Sequence, residues 1–96
     1  MPQLEFKVTG ATKWLAGIVE DHSATQQALT FNSGTATADV AGGGLAWVSI
    51  YAWGQAGASL SAEIFKAGKP LVTKRNYIID PDNSLARAIQ FDPDKV

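Results

Sequence analysis

Short blocks of strand-favouring residues, split by Gly, Asn, Asp and Ser, run the length of this chain. The first is the clearest: Leu4, Phe6 and Val8 alternate with Glu5, Lys7 and Thr9, the period-two pattern of a strand with one buried face. Gly10 to Lys13 reads as a turn into a second block at 14–19, so a first hairpin is expected there. Blocks at 27–32 and 35–40 flank Ser33-Gly34, where glycine supplies positive φ, and predict a second hairpin. Leu60, Ala62 and Ile64 alternate with Ser59, Ser61 and Glu63, and Ala67-Gly68 leads into a strand around 71–75, giving a third hairpin with one wet face. Pro70 cannot donate a ladder hydrogen bond, which predicts an edge position. Asp80-Pro81-Asp82-Asn83 forms a turn before a last strand at 85–91. The best helical candidate is a single turn over 23–29. The Ala41-Gly42-Gly43-Gly44 run reads as a connection between sheets.

The strongest block, 45–53, is apolar on both parities: Leu45, Trp47, Tyr51 and Trp53 on one, Ala46, Val48, Ile50 and Ala52 on the other. Such a strand needs cover on both sides. The number of residues in the Gly54–Gly57 loop decides which set shares a face with Leu60 and Ile64. An even loop sets Tyr51 opposite Leu60 and Trp47 opposite Ile64, so the aromatics enter the core; this is the plainer expectation. An odd, bulged loop turns the aliphatics inward and leaves Trp47, Tyr51 and Trp53 as an outward stripe.

About eight short strands in 96 residues predict an all-β fold. The expectation is one immunoglobulin-like antiparallel sandwich spanning residues 1–96. The charged fraction of 18% and net charge of −1 fit a folded chain with an ordinary core. Eight basic residues against nine acidic ones leave no footprint for nucleic acid. No apolar run approaches the roughly 20 residues of a spanning helix, so membrane insertion is not expected. Without cysteine there is no disulfide framework, thiolate metal site or cysteine nucleophile.

Candidate chemistry is thin. His22, the one histidine, stands beside Glu20 and Asp21, but a metal centre wants three or four ligands at defined spacing, and a solvated loop histidine accounts for it. No Gly-x-Ser-x-Gly occurs, and the carboxylates offer no spacing for a glycosidase pair. Asp80, Asp82 and Asn83 supply calcium-type oxygens if their loop meets Asp92 and Asp94 at one end of the sandwich, although turn formation explains them as well. The glycine triplet lacks the Lys-Ser/Thr of a phosphate loop. Lys66, Lys69, Lys74 and Arg75 form a basic cluster on one hairpin, suited to keeping an edge soluble. The expectation is therefore no enzyme, no cofactor and no metal.

Two segments resemble a known family. Phe6-Lys7-Val8-Thr9-Gly10 looks like the opening strand and turn of the small extracytoplasmic β-sandwich domains typified by the mycobacterial MmpS-like transport accessory proteins. The run from Trp47 through Ser59-Leu60-Ser61-Ala62-Glu63-Ile64-Phe65-Lys66-Ala67-Gly68-Lys69 is similar to that family's strand, loop and hairpin. The resemblance implies an immunoglobulin-like, non-enzymatic accessory or carrier module at a cell envelope, hence an extracytoplasmic or secreted location.

The functional expectation is a binding module whose apolar and aromatic residues, Trp47, Tyr51 and Trp53 with Trp14 and Tyr77, contact a protein or a glycan. One alternative is a structural, self-associating subunit such as a capsid decoration. Another is a small lectin that stacks sugars on Trp14, Trp53 or Tyr77.

Overall fold

The computed structural model describes residues 3–10, 13–21 and 26–95. They form eight strands: β1 (Gln3–Gly10), β2 (Lys13–Glu20), β3 (Gln27–Ala28), β4 (Thr35–Asp39), β5 (Ala46–Trp53), β6 (Ser59–Lys66), β7 (Lys69–Ile78) and β8 (Ser84–Phe91). Two antiparallel four-stranded sheets result, sheet I in the order β4-β1-β6-β7 and sheet II in the order β3-β2-β5-β8. The all-β sandwich read from the sequence is the fold observed.

The core is the period-two pattern made solid. Sheet I turns Leu4, Phe6, Val8, Ala36, Ala38, Leu60, Ala62 and Ile64 inward, and sheet II answers with Ile18, Ala46, Val48, Ile50, Ala52, Leu85, Ile89 and Phe91. Phe6 and Phe91 meet edge to face at 6.1 Å, joining the two sheets, a geometry that places a positive ring edge on a negative ring face.

Three sequence-based expectations are corrected here. The first hairpin is absent: β1 lies in sheet I and β2 in sheet II, so the two strands do not pair. The second is reduced to its tip, with Asn32 and Thr35 exchanging backbone hydrogen bonds of 2.8 and 3.2 Å. Ser33 (φ 55°) and Gly34 (φ 81°) make that turn. The strands on either side then part, β3 to sheet II and β4 to sheet I. Of the helical candidate at 23–29, Gln27 and Ala28 are strand, and Ser23 to Thr25 lie outside the described residues.

The third hairpin is present. β6 and β7 pair directly, with register shifts near Ile64, and Ala67 (φ 52°) and Gly68 (φ 78°) turn the chain between them. Pro70 falls on β7, the edge of sheet I, where its missing N–H costs no ladder bond. Residues 41–44 connect β4 of sheet I to β5 of sheet II, the role read from the glycine run. The tail after β8 is tied down: Gly43 N–H donates to Asp94 Oδ2 at 2.7 Å, and Lys66 Nζ donates to the carbonyl of buried Pro93 at 2.7 Å.

Candidate binding face

The parity question at 45–53 resolves in favour of the aliphatic residues. Ala46, Val48, Ile50 and Ala52 are buried, whereas Tyr51 is 63% and Trp53 41% exposed, with Trp47 half-buried on the same parity. The expectation that the aromatics enter the core is therefore overturned. Its premise fails as well: β5 and β6 belong to opposite sheets, so Tyr51 does not oppose Leu60, nor Trp47 Ile64. Each strand is free to turn its own apolar set inward, whatever the loop length. Packing selects which set. Stacked sheets stand about 10 Å apart, and the core between them also holds Phe6, Leu60 and Ile64. Ala, Val and Ile fit what remains; a row of indoles does not.

β5 is the central strand of three, and its pairings with β2 and β8 set the outer face in rows. These are Lys13–Trp53–Ser84, Leu15–Tyr51–Ala86, Gly17–Ser49–Ala88 and Val19–Trp47–Gln90. Same-face rows lie about 7 Å apart along a strand. Leu15 is 66% exposed and Ala86 and Ala88 are exposed, so the second row is an apolar ridge across the full width of the face. The third row is low and small. At its β2 end the Gln26 side chain lies over Gly17 and donates from Nε2 to Ser49 Oγ at 2.9 Å.

Tyr51 thus stands between two shallow depressions. One, of about 280 Å³, is bounded by Leu15, Gln26, Leu29 and Ser49. The other, of about 300 Å³, lies toward β8 and is bounded by Ser49, Ala86, Arg87 and Ala88. The only formal charge in the four rows is Lys13, at a corner.

The outer face of sheet I is a different surface. Its register aligns Glu5 with Thr37 and Phe65, and Lys7 with Thr35 and Glu63. Lys7 Nζ lies 3.7 Å from Glu5 Oε1 and 4.9 Å from the centre of the Phe65 ring, and Thr9 shares a 2.7 Å hydroxyl contact with Ser61. Both side chains of the Glu5–Lys7 pair are more than two-fifths exposed, so the pair adds little stability. Its effect is to keep that face wet.

Two sequence-derived candidates lie elsewhere. Trp14 sits on the inward parity of β2, opposite buried Ala52, packed edge to face on Phe31 at 6.1 Å. Tyr77 opposes Leu60 on β7 and is capped by the Arg87 guanidinium, 5.9 Å from its ring centre. Both rings help close the sandwich and neither joins the Trp47–Tyr51–Trp53 stripe. Sequence reasoning passed over Leu15, Ala86 and Ala88. The signal for Leu15 was available, because Trp14, Leu15, Ala16, Ile18 and Val19 are apolar on both parities, as in β5.

The condition for calcium ligation, that the two acidic loops meet, is not met. Asp80–Asn83 precedes β8 and Asp92–Asp94 follows it, which separates them by a strand of about 23 Å. Among the described residues no three His, Cys, Asp or Glu side chains gather as a metal site requires. The loop oxygens bind backbone amides instead: Asp82 Oδ1 accepts from Ser84 N–H at 3.2 Å and Asn83 Oδ1 from Ala56 N–H at 3.2 Å. His22 lies outside the described residues. No described helix is long and apolar enough to cross a membrane.

Compared with protein-family models, curated proteins and solved structures, the chain matches none.

Proposed function

We propose that this chain is a non-enzymatic binding module that presents the outer face of sheet II to a partner protein. The observation that carries the reading is the contrast between the two outer faces. Sheet I shows Glu5, Lys7, Thr35, Thr37 and Glu63 to solvent, with half-buried Phe65 among them and Ile78 exposed on its β7 edge. Sheet II shows Leu15, Tyr51, Trp53, Ala86 and Ala88, with Lys13 its single charge. A contiguous apolar patch on one side of a small domain marks a contact surface, and exposed Tyr and Trp are the side chains that most often anchor one. Kinship with the immunoglobulin-like accessory sandwiches belongs to the same proposal. In its support, the first segment that resembles that family, in β1, and the β6 part of the second are hydrogen-bonded neighbours in sheet I, while the second segment's start, in β5, lies in sheet II.

A photoreactive amino acid at position 51 tests the reading in extracts of the native source, with position 37 on the opposite face as control. Cross-linking to a defined protein is expected from position 51 and not from 37. With that protein purified, Tyr51→Ser should weaken binding by about 30-fold or more, while the melting temperature moves by no more than about 2 °C. Equal affinity of wild type and Tyr51→Ser overturns the assignment of this face. Tryptophan fluorescence on a glycan panel covers the other ligand class: a saturable, Tyr51-dependent shift would assign the face to sugar in place of protein.

A further inference from the structure

We infer that the partner of this face is a second copy of the same chain, packed sheet II on sheet II about a twofold axis. The inference rests on the preceding reading that the face is a contact surface. A twofold interface must fit itself, so one patch has to carry both a projection and the recess that receives it. The second and third rows do so. Tyr51 projects, 63% exposed, and the shallow depression of about 300 Å³ bounded by Ser49, Ala86, Arg87 and Ala88 lies directly beside it. The depression is shallow and open, so the phenol ring of one copy can lie against the Ala86–Ala88 surface of the other.

Charge and size point the same way. With Lys13 at a corner as the only charge in the rows and a net charge of −1 for the whole chain, two copies meet without opposing like charges. The two longer dimensions of the molecule, 38 and 28 Å, bound a broad face on the scale of the roughly 800 Å² per partner that a stable interface needs.

The strand edges rule against the other common way in which β proteins self-associate, by extending a sheet. β7 carries Lys69, Pro70, Lys74 and Arg75 and two register shifts. β4 is five residues long and ends on Asp39. β8 holds a charge, Arg87, at a position whose neighbour Ile50 faces the core. Proline, irregular register and inward-facing charge are the features that stop edge-to-edge pairing. The fourth edge, β3, is only two residues long, too short to template another strand, so stacking is the route left open.

Sedimentation equilibrium on the intact chain from about 10 μM to about 1 mM tests this, a span that covers weak and moderate dimers. The mass should rise from the monomer value of 10.2 kDa toward twice that. Tyr51→Lys, which charges the projection, and Ala88→Arg, which fills the recess, should each weaken the dimer by about 100-fold or more. Thr37→Arg on the opposite face should leave it unchanged. A monomer at the highest concentration, or a dimer indifferent to both face substitutions, overturns the inference. If that monomer still cross-links through position 51 to a different protein, the binding face survives and only the second copy is rejected.

Discussion

Single residues set the turns of this fold, and not all of them are well chosen for the conformation they hold. Among the described residues Ser33, Ala67 and Asn83 have positive φ without being glycine. Asn83 suits the left-handed region, and its side chain also accepts from Ala56 N–H. Ala67, at φ 52°, has no such compensation and bears a cost of about 1 kcal/mol. Ala67→Gly or Ala67→Asn should therefore raise stability by roughly 0.5–1 kcal/mol, read as a higher urea midpoint with an unchanged slope. Gly42 is the opposite case. Its φ is +81°, and a Cβ there would run into the Asp94 carboxylate. Gly42→Ala is expected to cost about 2 kcal/mol or more, from backbone strain and the displaced tail together, and the same urea titration measures it.

At the scale of elements, Arg87 does the most to define β8. It faces the core side of an edge strand and leans across to the Tyr77 ring on β7. Replacing it with valine would make positions 85, 87, 89 and 91 an unbroken apolar alternation on that side, since Leu85, Ile89 and Phe91 already hold the other three. Arg87→Val should shorten the lag of thioflavin-positive aggregation several-fold under mild agitation, a rate that a plate assay reads directly. The elements themselves were largely legible. Period-two alternation located the strands, Ala67-Gly68 the one full hairpin, and Pro70 an edge. What the pattern did not carry was partnership. Leu4, Phe6 and Val8 announce a buried face, but nothing in them says that β1 pairs with β6 and not with β2. The Trp47–Tyr51–Trp53 stripe was legible as a pair of alternatives only, because alternation identifies two faces of β5 and cannot say which one points inward. That choice belongs to the volume left beside Phe6, Leu60 and Ile64 on other strands. Leu15 was missed for the same reason: its exposure follows from where Trp14 and Ile18 point.

At the scale of the whole molecule, the connections between sheets have a consequence in time. Apart from a two-residue contact between β2 and β3, only β6 and β7 are neighbours both in sequence and in a ladder; β1 waits for β6, β2 for β5, and β5 for β8. Pairings between distant segments pay their loop-closure entropy before any contact rewards it. Refolding should accordingly take milliseconds to seconds, the range of sandwiches dominated by distant pairings. The β6–β7 hairpin is the piece able to zip early. Leu60→Ala should then slow refolding more than Ile18→Ala does at equal loss of stability, a comparison that stopped-flow chevron plots make. During synthesis β8 leaves the ribosome after the other seven strands and is also the lid that closes one flank of β5, so until then a greasy ribbon lies open beside an aromatic one. A nascent chain in that state is a natural client for whatever shields hydrophobic surface in the cell.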